Sequence, residues 1–298
     1  MYDLIVIGGG PAGITAAAIA INQRLETLII AEQWGGQTTY TMDLEDVEGR
    51  AVVNAEGVLD DFRRQLDYLD FVRRFDTVTE VRPEGDRFAV CTTHGDCFIS
   101  DALIVATGAK PQRLNVPGEE RLSGRGLSYS ASTHASLFLG KDVAVVGNGR
   151  RAQWATASLA RKAHHVYLLA PEPLVTTPLA DKFSEMENVE VLGGVIVTEV
   201  LGEDFVEGVA LRMADGSAKE LPVKGVFVKL PRTPNSQLVR EWIDCDSRGH
   251  VLIDTNAATS WQGVFAAGDV TFVTEQALVH IGEGAKAAIS AYHYLLMR

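Results

Sequence analysis

Apolar residues recur along this chain in three patterns, and their order sets the fold class. Tyr2-Asp3-Leu4-Ile5-Val6-Ile7 is a nearly unbroken apolar run of strand length, and Leu28-Ile29-Ile30-Ala31 is a second. Strands that are apolar on both faces suit a parallel sheet covered by helices. Between them, residues 14–20 form an Ala-rich stretch that predicts a helix. Residues 56–75 repeat with a helical period and carry charges on one face. Alternation then takes over in Thr77-Val78-Thr79-Glu80-Val81, Arg87-Phe88-Ala89-Val90-Cys91 and Cys97-Phe98-Ile99, with His94-Gly95-Asp96 as a turn. These predict a small antiparallel sheet. Leu103-Ile104-Val105 leads into Ala106-Thr107-Gly108-Ala109, another strand closing on a glycine.

The stretch around Pro111, Pro117 and Gly118 reads as a linker, and the second half then begins by repeating the first. Lys141-Asp142-Val143-Ala144-Val145-Val146 predicts a strand, Gly147-Asn148-Gly149-Arg150-Arg151-Ala152 a glycine turn, and residues 153–162 a helix. Val166-Tyr167-Leu168-Leu169-Ala170 is the next strand. The duplication lies about 138 residues downstream of the first unit. Residues 189–230 alternate as β structure, Gly263-Val264-Phe265-Ala266-Ala267-Gly268-Asp269 predicts a strand ending on a glycine–acid pair, and a helix over about 275–296 closes the chain. The expected architecture is α/β, with two Rossmann-like three-layer dinucleotide-binding domains, the second inserted in the first. The expected boundaries are 1–112 with 241–298, and 113–240.

The glycines give these units their chemistry. Gly8, Gly10 and Gly13 stand as Gly-x-Gly-x-x-Gly between a strand and a helix, the context that makes the motif a dinucleotide site. Gly8 permits the tight turn, Gly10 lets backbone approach a pyrophosphate, and Gly13 allows close helix–strand packing. The helix start adds amide donors and a favourable dipole. Glu32, at the end of the second strand, is placed to accept from a ribose hydroxyl. In Trp34-Gly35-Gly36-Gln37-Thr38-Thr39, backbone can come close to a ligand.

A net charge of −12 and a pI near 5.1 argue against nucleic acid or an anionic membrane as partner. No apolar run is long enough for a transmembrane helix, and the N-terminus enters a strand without a signal peptide, so a cytoplasmic protein is expected. Cys91, Cys97 and Cys245 make neither a disulfide framework nor a metal cluster. Cys91 and Cys97 are expected as buried free thiols, although a cross-strand disulfide between them is geometrically open. Cys245 is expected to be structural.

Taken together, the landmarks resemble the low-molecular-weight thioredoxin reductase family of FAD/NAD(P) flavoproteins, nearly end to end. The resemblance rests on Gly8 to Gly13, Gly35-Gly36-Gln37, Ala106-Thr107-Gly108-Ala109, the second glycine turn, Val264-Phe265-Ala266-Ala267-Gly268-Asp269 and Gln276-Ala277. It implies that Gly8, Gly10, Pro11, Ala12 and Gly13 hold the FAD pyrophosphate, and that Gly36 and Gln37 run along the flavin. It implies a main-chain adenine contact from Val78, and packing of Ala106, Thr107 and Gly108 beside the cofactor. Asp269, next to Gly268, would bind ribityl hydroxyls, and Gln276 and Ala277 would meet the pyrimidine edge of the ring. Thr41 and Asp46 fall on further FAD positions. Asp46 stands for an Asn of the family's Glu-Asn-x-Pro-Gly loop, and Glu275 stands for an Arg, so both add negative charge near the flavin.

The same resemblance implies what this chain lacks. The family's Cys-x-x-Cys falls on Ser130 and Thr133, and hydroxyls have no disulfide chemistry. His134 takes the place of the family's acidic proton donor and is a candidate general acid near neutral pH. Gly147, Gly149 and Ala152 keep the second nucleotide turn, but the Arg residues that bind the NADPH 2′-phosphate are replaced by Ala170-Pro171-Glu172 and Thr176. Losing a guanidinium fork and gaining a carboxylate weakens phosphate binding. Pro231 stands where the family has a glycine. Arg150 and Arg151 at this helix start suit either an anion, such as a second dinucleotide's phosphates, or a surface ion pair.

The leading expectation is a homodimeric FAD oxidoreductase without a dithiol and with impaired NADPH binding. Its flavin would exchange electrons directly with ferredoxin, another flavin or a small molecule. An NADH-dependent flavin reductase or oxidase is the second reading, and a non-enzymatic flavin- or nucleotide-binding protein the third.

Overall fold

The computed structural model describes residues 1–39, 42–44, 56–69, 72–272 and 276–298. They form two compact units. The first comprises the described residues within Met1–Thr39, Asn54–Lys110 and Thr233–Arg298, and the second those within Tyr40–Val53 and Pro111–Arg232.

The first unit opens with β1 (Tyr2–Ile7), α1 (Pro11–Asn22) and β2 (Thr27–Ala31). Proline at the first helical turn is preset for the helix and has no amide to waste. After α2 (Glu56–Tyr68) come β3 (Arg73–Phe75), β4 (Val78–Glu84), β5 (Arg87–Thr92) and β6 (Cys97–Val105). Their sheet order is β3-β2-β1-β6-β5-β4. The helical period read to residue 75 therefore stops at Tyr68, and Arg73–Phe75 instead adds a parallel edge strand to β2. The strands expected at 97–99 and 103–105 are one strand. Its first half pairs antiparallel with β5 and its second half parallel with β1. Ser100 lies at the join and is fully buried, but its hydroxyl donates to the Ala102 carbonyl at 2.8 Å, so the polar position does not break the strand.

At β7 (Ala109–Pro111) the chain leaves the first unit. The second unit holds α3 (Glu119–Leu122), β8 (Leu127–Ser128), α4 (Ala131–His134), β9 (Asp142–Val146), α5 (Arg150–Ala160) and β10 (His165–Ala170). It continues through α6 (Pro178–Lys182), β11 (Val189–Gly193), β12 (Ile196–Leu201), β13 (Gly208–Arg212), β14 (Ala218–Pro222) and β15 (Gly225–Val228). A parallel sheet, β11-β10-β9-β15-β8, forms its centre, and β12-β13-β14 form a separate antiparallel sheet.

After β16 (Arg232–Pro234), the chain is back in the first unit, where β17 (Val264–Ala266) extends the sheet beside β6 and α7 (Ala277–Leu296) covers α1. The return lies at 232/233, not at 240/241. Val239 and Ile243 are buried in the first unit's core, and Asn235 is tied to Thr107. Residues 42–44 also belong with the second unit, where Asp43 donates its amide to the Gly124 carbonyl.

Candidate functional site

The two glycine turns are built alike. Gly8 has φ +118° and Gly147 φ +147°, and a methyl at either would collide with a carbonyl: that of Ala106 at 2.2 Å or that of Lys229 at 2.6 Å. Gly10 and Gly149 cap α1 and α5 in matching extended conformations, with no side chain capping either helix. A methyl on either would meet nothing within 4 Å. Glycine at these two is therefore not demanded by the protein's own packing, as a space kept for a ligand would require. At Gly13 a methyl would fall 1.8 Å from the Gly8 carbonyl, so glycine there lets the helix seat on the turn.

Around the first turn, Gly35 donates its amide to the Gly9 carbonyl at 2.8 Å, and a methyl on Gly36 would come within 3.2 Å of the Gly10 Cα. Gln37, in the short helix Gly36–Thr39, reaches the Ala109 carbonyl with its amide at 2.5 Å. Ala106 is buried at the end of β6, and Thr107 and Asn235 exchange side-chain hydrogen bonds with each other's carbonyls at 2.6 and 2.8 Å. Gly108 takes a positive φ of +69°. Glu32 is exposed just beyond β2, with Thr77 donating to it at 3.1 Å, and Val78 opens β4 half-buried.

Gly268 and Asp269 follow β17. Gly268 donates its amide to Glu283 at 3.0 Å, and Asp269 Oδ1 lies 3.3 Å from His280 Nε2. Burial pushes the Glu283 carboxyl above its ordinary value, opposed by the Gly268 hydrogen bond. Gln276 is exposed at the start of α7 and Ala277 begins the helix. The open space at Gly10, the uncapped helix start and the acid at Asp269 together fit a dinucleotide's pyrophosphate and hydroxyls. Thr41, Asp46 and Glu275 lie outside the described residues. Reading the sequence missed His280 and Glu283. The available signal was two ionisable residues three apart in a helix otherwise rich in Ala and Gly.

In the second unit, Ser130 Oγ donates to Thr133 Oγ1 at 2.9 Å, so these two hydroxyls meet at the start of α4. His134, at the end of α4, is 7% exposed. Ser128 Oγ donates to the Ser130 carbonyl, which leaves His134 Nδ1 as the donor in their 2.8 Å contact. Burial, aided by the Lys229 charge, lowers the ring's pKa to about 4. His134 is therefore neutral near pH 7 in this structure.

Arg150 is exposed, whereas Arg151 donates to the Leu230 carbonyl at 2.6 Å. The segment after β10 folds back on the second turn. Asn148 Nδ2 donates to Glu172 at 3.3 Å, Val175 donates its amide to the Asn148 carbonyl, and Gln153 reaches the Val175 carbonyl.

Cys91 and Cys97 form a disulfide, contrary to the expected free thiols. The β5–β6 register sets them directly opposite, with Cα atoms 4.1 Å apart. Cys245 is free, and burial pushes its thiol pKa up. Among the described residues no group of His, Cys, Asp and Glu is arranged to hold a metal ion, and no helix is long and apolar enough to cross a membrane.

Residues 2–289 match the model of the pyridine nucleotide-disulphide oxidoreductases. The chain is 34% identical over 307 residues to an alkyl hydroperoxide reductase component of Escherichia coli K12, covering 99% of this chain and 58% of that protein. It thus spans about three fifths of the length of the curated relatives it matches. Among solved structures, thioredoxin reductase from Streptococcus pyogenes MGAS5005 superposes with TM-score 0.88 at 29% identity, covering 100% of this chain and 99% of that one. Thioredoxin reductase from Giardia duodenalis gives 0.89 at 26% identity, with 99% of each chain covered.

Proposed function

Because this chain belongs to the pyridine nucleotide-disulphide oxidoreductase family, we propose that it is an FAD-dependent oxidoreductase whose partners exchange electrons with the flavin directly. Bound FAD supplies a ring that takes up or gives up two electrons with a proton. The backbone around Gly8, Gly10 and Gly13 holds its pyrophosphate, Asp269 accepts from its ribityl hydroxyls, and Gln276 and Ala277 border the ring. The observation that carries the reading is the 2.9 Å contact between Ser130 and Thr133. The resemblance puts the family's redox pair at these two positions, and hydroxyls cannot relay electrons by forming and breaking a sulfur–sulfur bond.

The second dinucleotide turn supports weak NADPH use. Glu172 brings a negative charge where a 2′-phosphate would need a cation. A ferredoxin-like electron carrier, another flavin or a small redox molecule then serves as partner, and the enzyme works as a cytoplasmic homodimer. The test is anaerobic stopped-flow of the purified yellow protein. NADPH should leave the flavin absorbance unchanged on the timescale of turnover, and a reduced low-potential electron carrier should bleach it. Rapid NADPH-driven reduction of thioredoxin would overturn the proposal.

A second reading rests on the Asn148–Glu172 contact, which holds a carboxylate at the second glycine turn. A carboxylate there accepts from the ribose hydroxyls of NADH and disfavours NADPH. Bleaching by NADH that is lost in Glu172→Ala would select this reading. Bleaching by neither nucleotide would remove it.

A further inference from the structure

We propose that His280 and Glu283 are positioning residues of the flavin cradle, His280 orienting the Asp269 carboxylate and Glu283 the Gly268 amide. The proposal rests on the reading that the Gly268–Asp269 turn meets FAD. His280 and Glu283 lie three residues apart and so share one face of α7. Each is only 8% exposed. Burying two ionisable side chains in a helix of small apolar residues is costly unless each finds a partner. Both partners come from the same two residues. Glu283 Oε2 accepts from the Gly268 amide at 3.0 Å, and His280 Nε2 stands 3.3 Å from Asp269 Oδ1.

The backbone leaves this arrangement little freedom. Gly268 has φ +80°, and a methyl on it would lie 3.2 Å from the Ala12 Cβ. Gly284, next to Glu283, packs so closely that a methyl would fall 2.1 Å from the Ala12 carbonyl. Helix α7 is thus seated on the first turn of α1, beside the glycine turn, and it carries the two side chains to the end of β17. His280 Nε2 is buried and completes no hydrogen bond with a protein acceptor among the described residues. It is already 3.3 Å from Asp269 Oδ1, and a small turn of the carboxylate as a ligand binds aligns the two into a charge-assisted hydrogen bond. A ligand whose hydroxyls donate to Asp269 gains from having that carboxylate held before it arrives. Glu283 does the same for the turn itself by fixing the direction of the Gly268 amide.

The test measures FAD affinity of the full chain by fluorescence titration of the flavin-free protein, alongside thermal melting of each variant. His280→Phe keeps the bulk of the ring and removes the donor. It should weaken FAD binding roughly tenfold to a hundredfold, as removal of a charge-assisted hydrogen bond does. His280→Gln, whose amide nitrogen reaches the place of Nε2, restores a donor and should recover most of the loss. In an Asp269→Asn background, His280→Phe should add less than about twofold, because it acts through a carboxylate no longer present. Glu283→Gln keeps an acceptor for Gly268 and should bind nearly as the native chain does, whereas Glu283→Leu should not. Equal losses from His280→Phe in both backgrounds, or none in either, would overturn the proposal. If the native chain itself takes up no FAD, the functional reading fails, and this inference fails with it.

Discussion

His134 offers a sharp test of how burial sets charge in the second unit. Its ring titrates near 4 in the folded chain, against 6.5 for an exposed histidine. The folded pKa is depressed, so the unfolded chain binds the extra proton first as the pH falls. Stability is then complete above about pH 6.5 and lost progressively down to about pH 4. With these two values, moving from about pH 7.5 to about pH 5 removes about 2 kcal/mol through this one residue. The perturbation is His134→Asn, whose amide nitrogen takes the place of Nδ1 as donor to Ser128 and does not titrate. Urea unfolding of native and variant protein, each at the two pH values, gives the comparison. All other titrating groups contribute equally to both proteins and cancel in the difference. The native chain should lose about 2 kcal/mol more than the variant between the two conditions. Equal losses would refute the claim that the ring is neutral and buried. A larger loss in the variant would reverse the sign of the argument.

Further expectations concern the sulfur atoms and the glycine turn. The Cys91–Cys97 bridge closes a loop with sequence separation 6, so its removal in a Cys91→Ala/Cys97→Ala double variant should cost about 2 kcal/mol by loop entropy. Thiol titration of the denatured, unreduced chain should find only Cys245, and three thiols before reduction would disprove the bridge. Gly10→Ala should melt near the native temperature yet fail to retain FAD, since its methyl enters space the protein leaves open. Gly13→Ala should destabilise the first unit outright, because its methyl meets the Gly8 carbonyl. Circular dichroism melting and flavin absorbance separate the two outcomes, and a Gly13→Ala protein as stable as Gly10→Ala would contradict the packing argument.

Local pattern determined a good deal of this protein. Leu4 to Ile7 and Val143 to Val146 are apolar throughout because strands of a covered parallel sheet have no wet face, so both nucleotide units could be read from the sequence. Gly8, Gly13 and Gly147 could be read for a similar reason: a carbonyl within 2.6 Å of where a methyl would stand admits no other residue. The hydroxyls of Ser130 and Thr133 were equally plain, because their chemistry does not depend on the fold.

What the tertiary structure alone decided concerns partners distant along the chain. The continuity of β6 depended on Ser100 finding the Ala102 carbonyl within a buried sheet, and the bridge between Cys91 and Cys97 depended on a pairing register. Arg151 meets a carbonyl contributed by Leu230, and Asn235 fastens the returning chain to Thr107. Burial turned His134 into a neutral ring. His280 and Glu283 looked like ordinary helix residues until α7 settled on α1 and placed them against Gly268 and Asp269. Short-range spacing reports which backbone shapes a segment can take. It carries no record of which desolvated groups from elsewhere must share its interior, and that sharing sets both their protonation and their role.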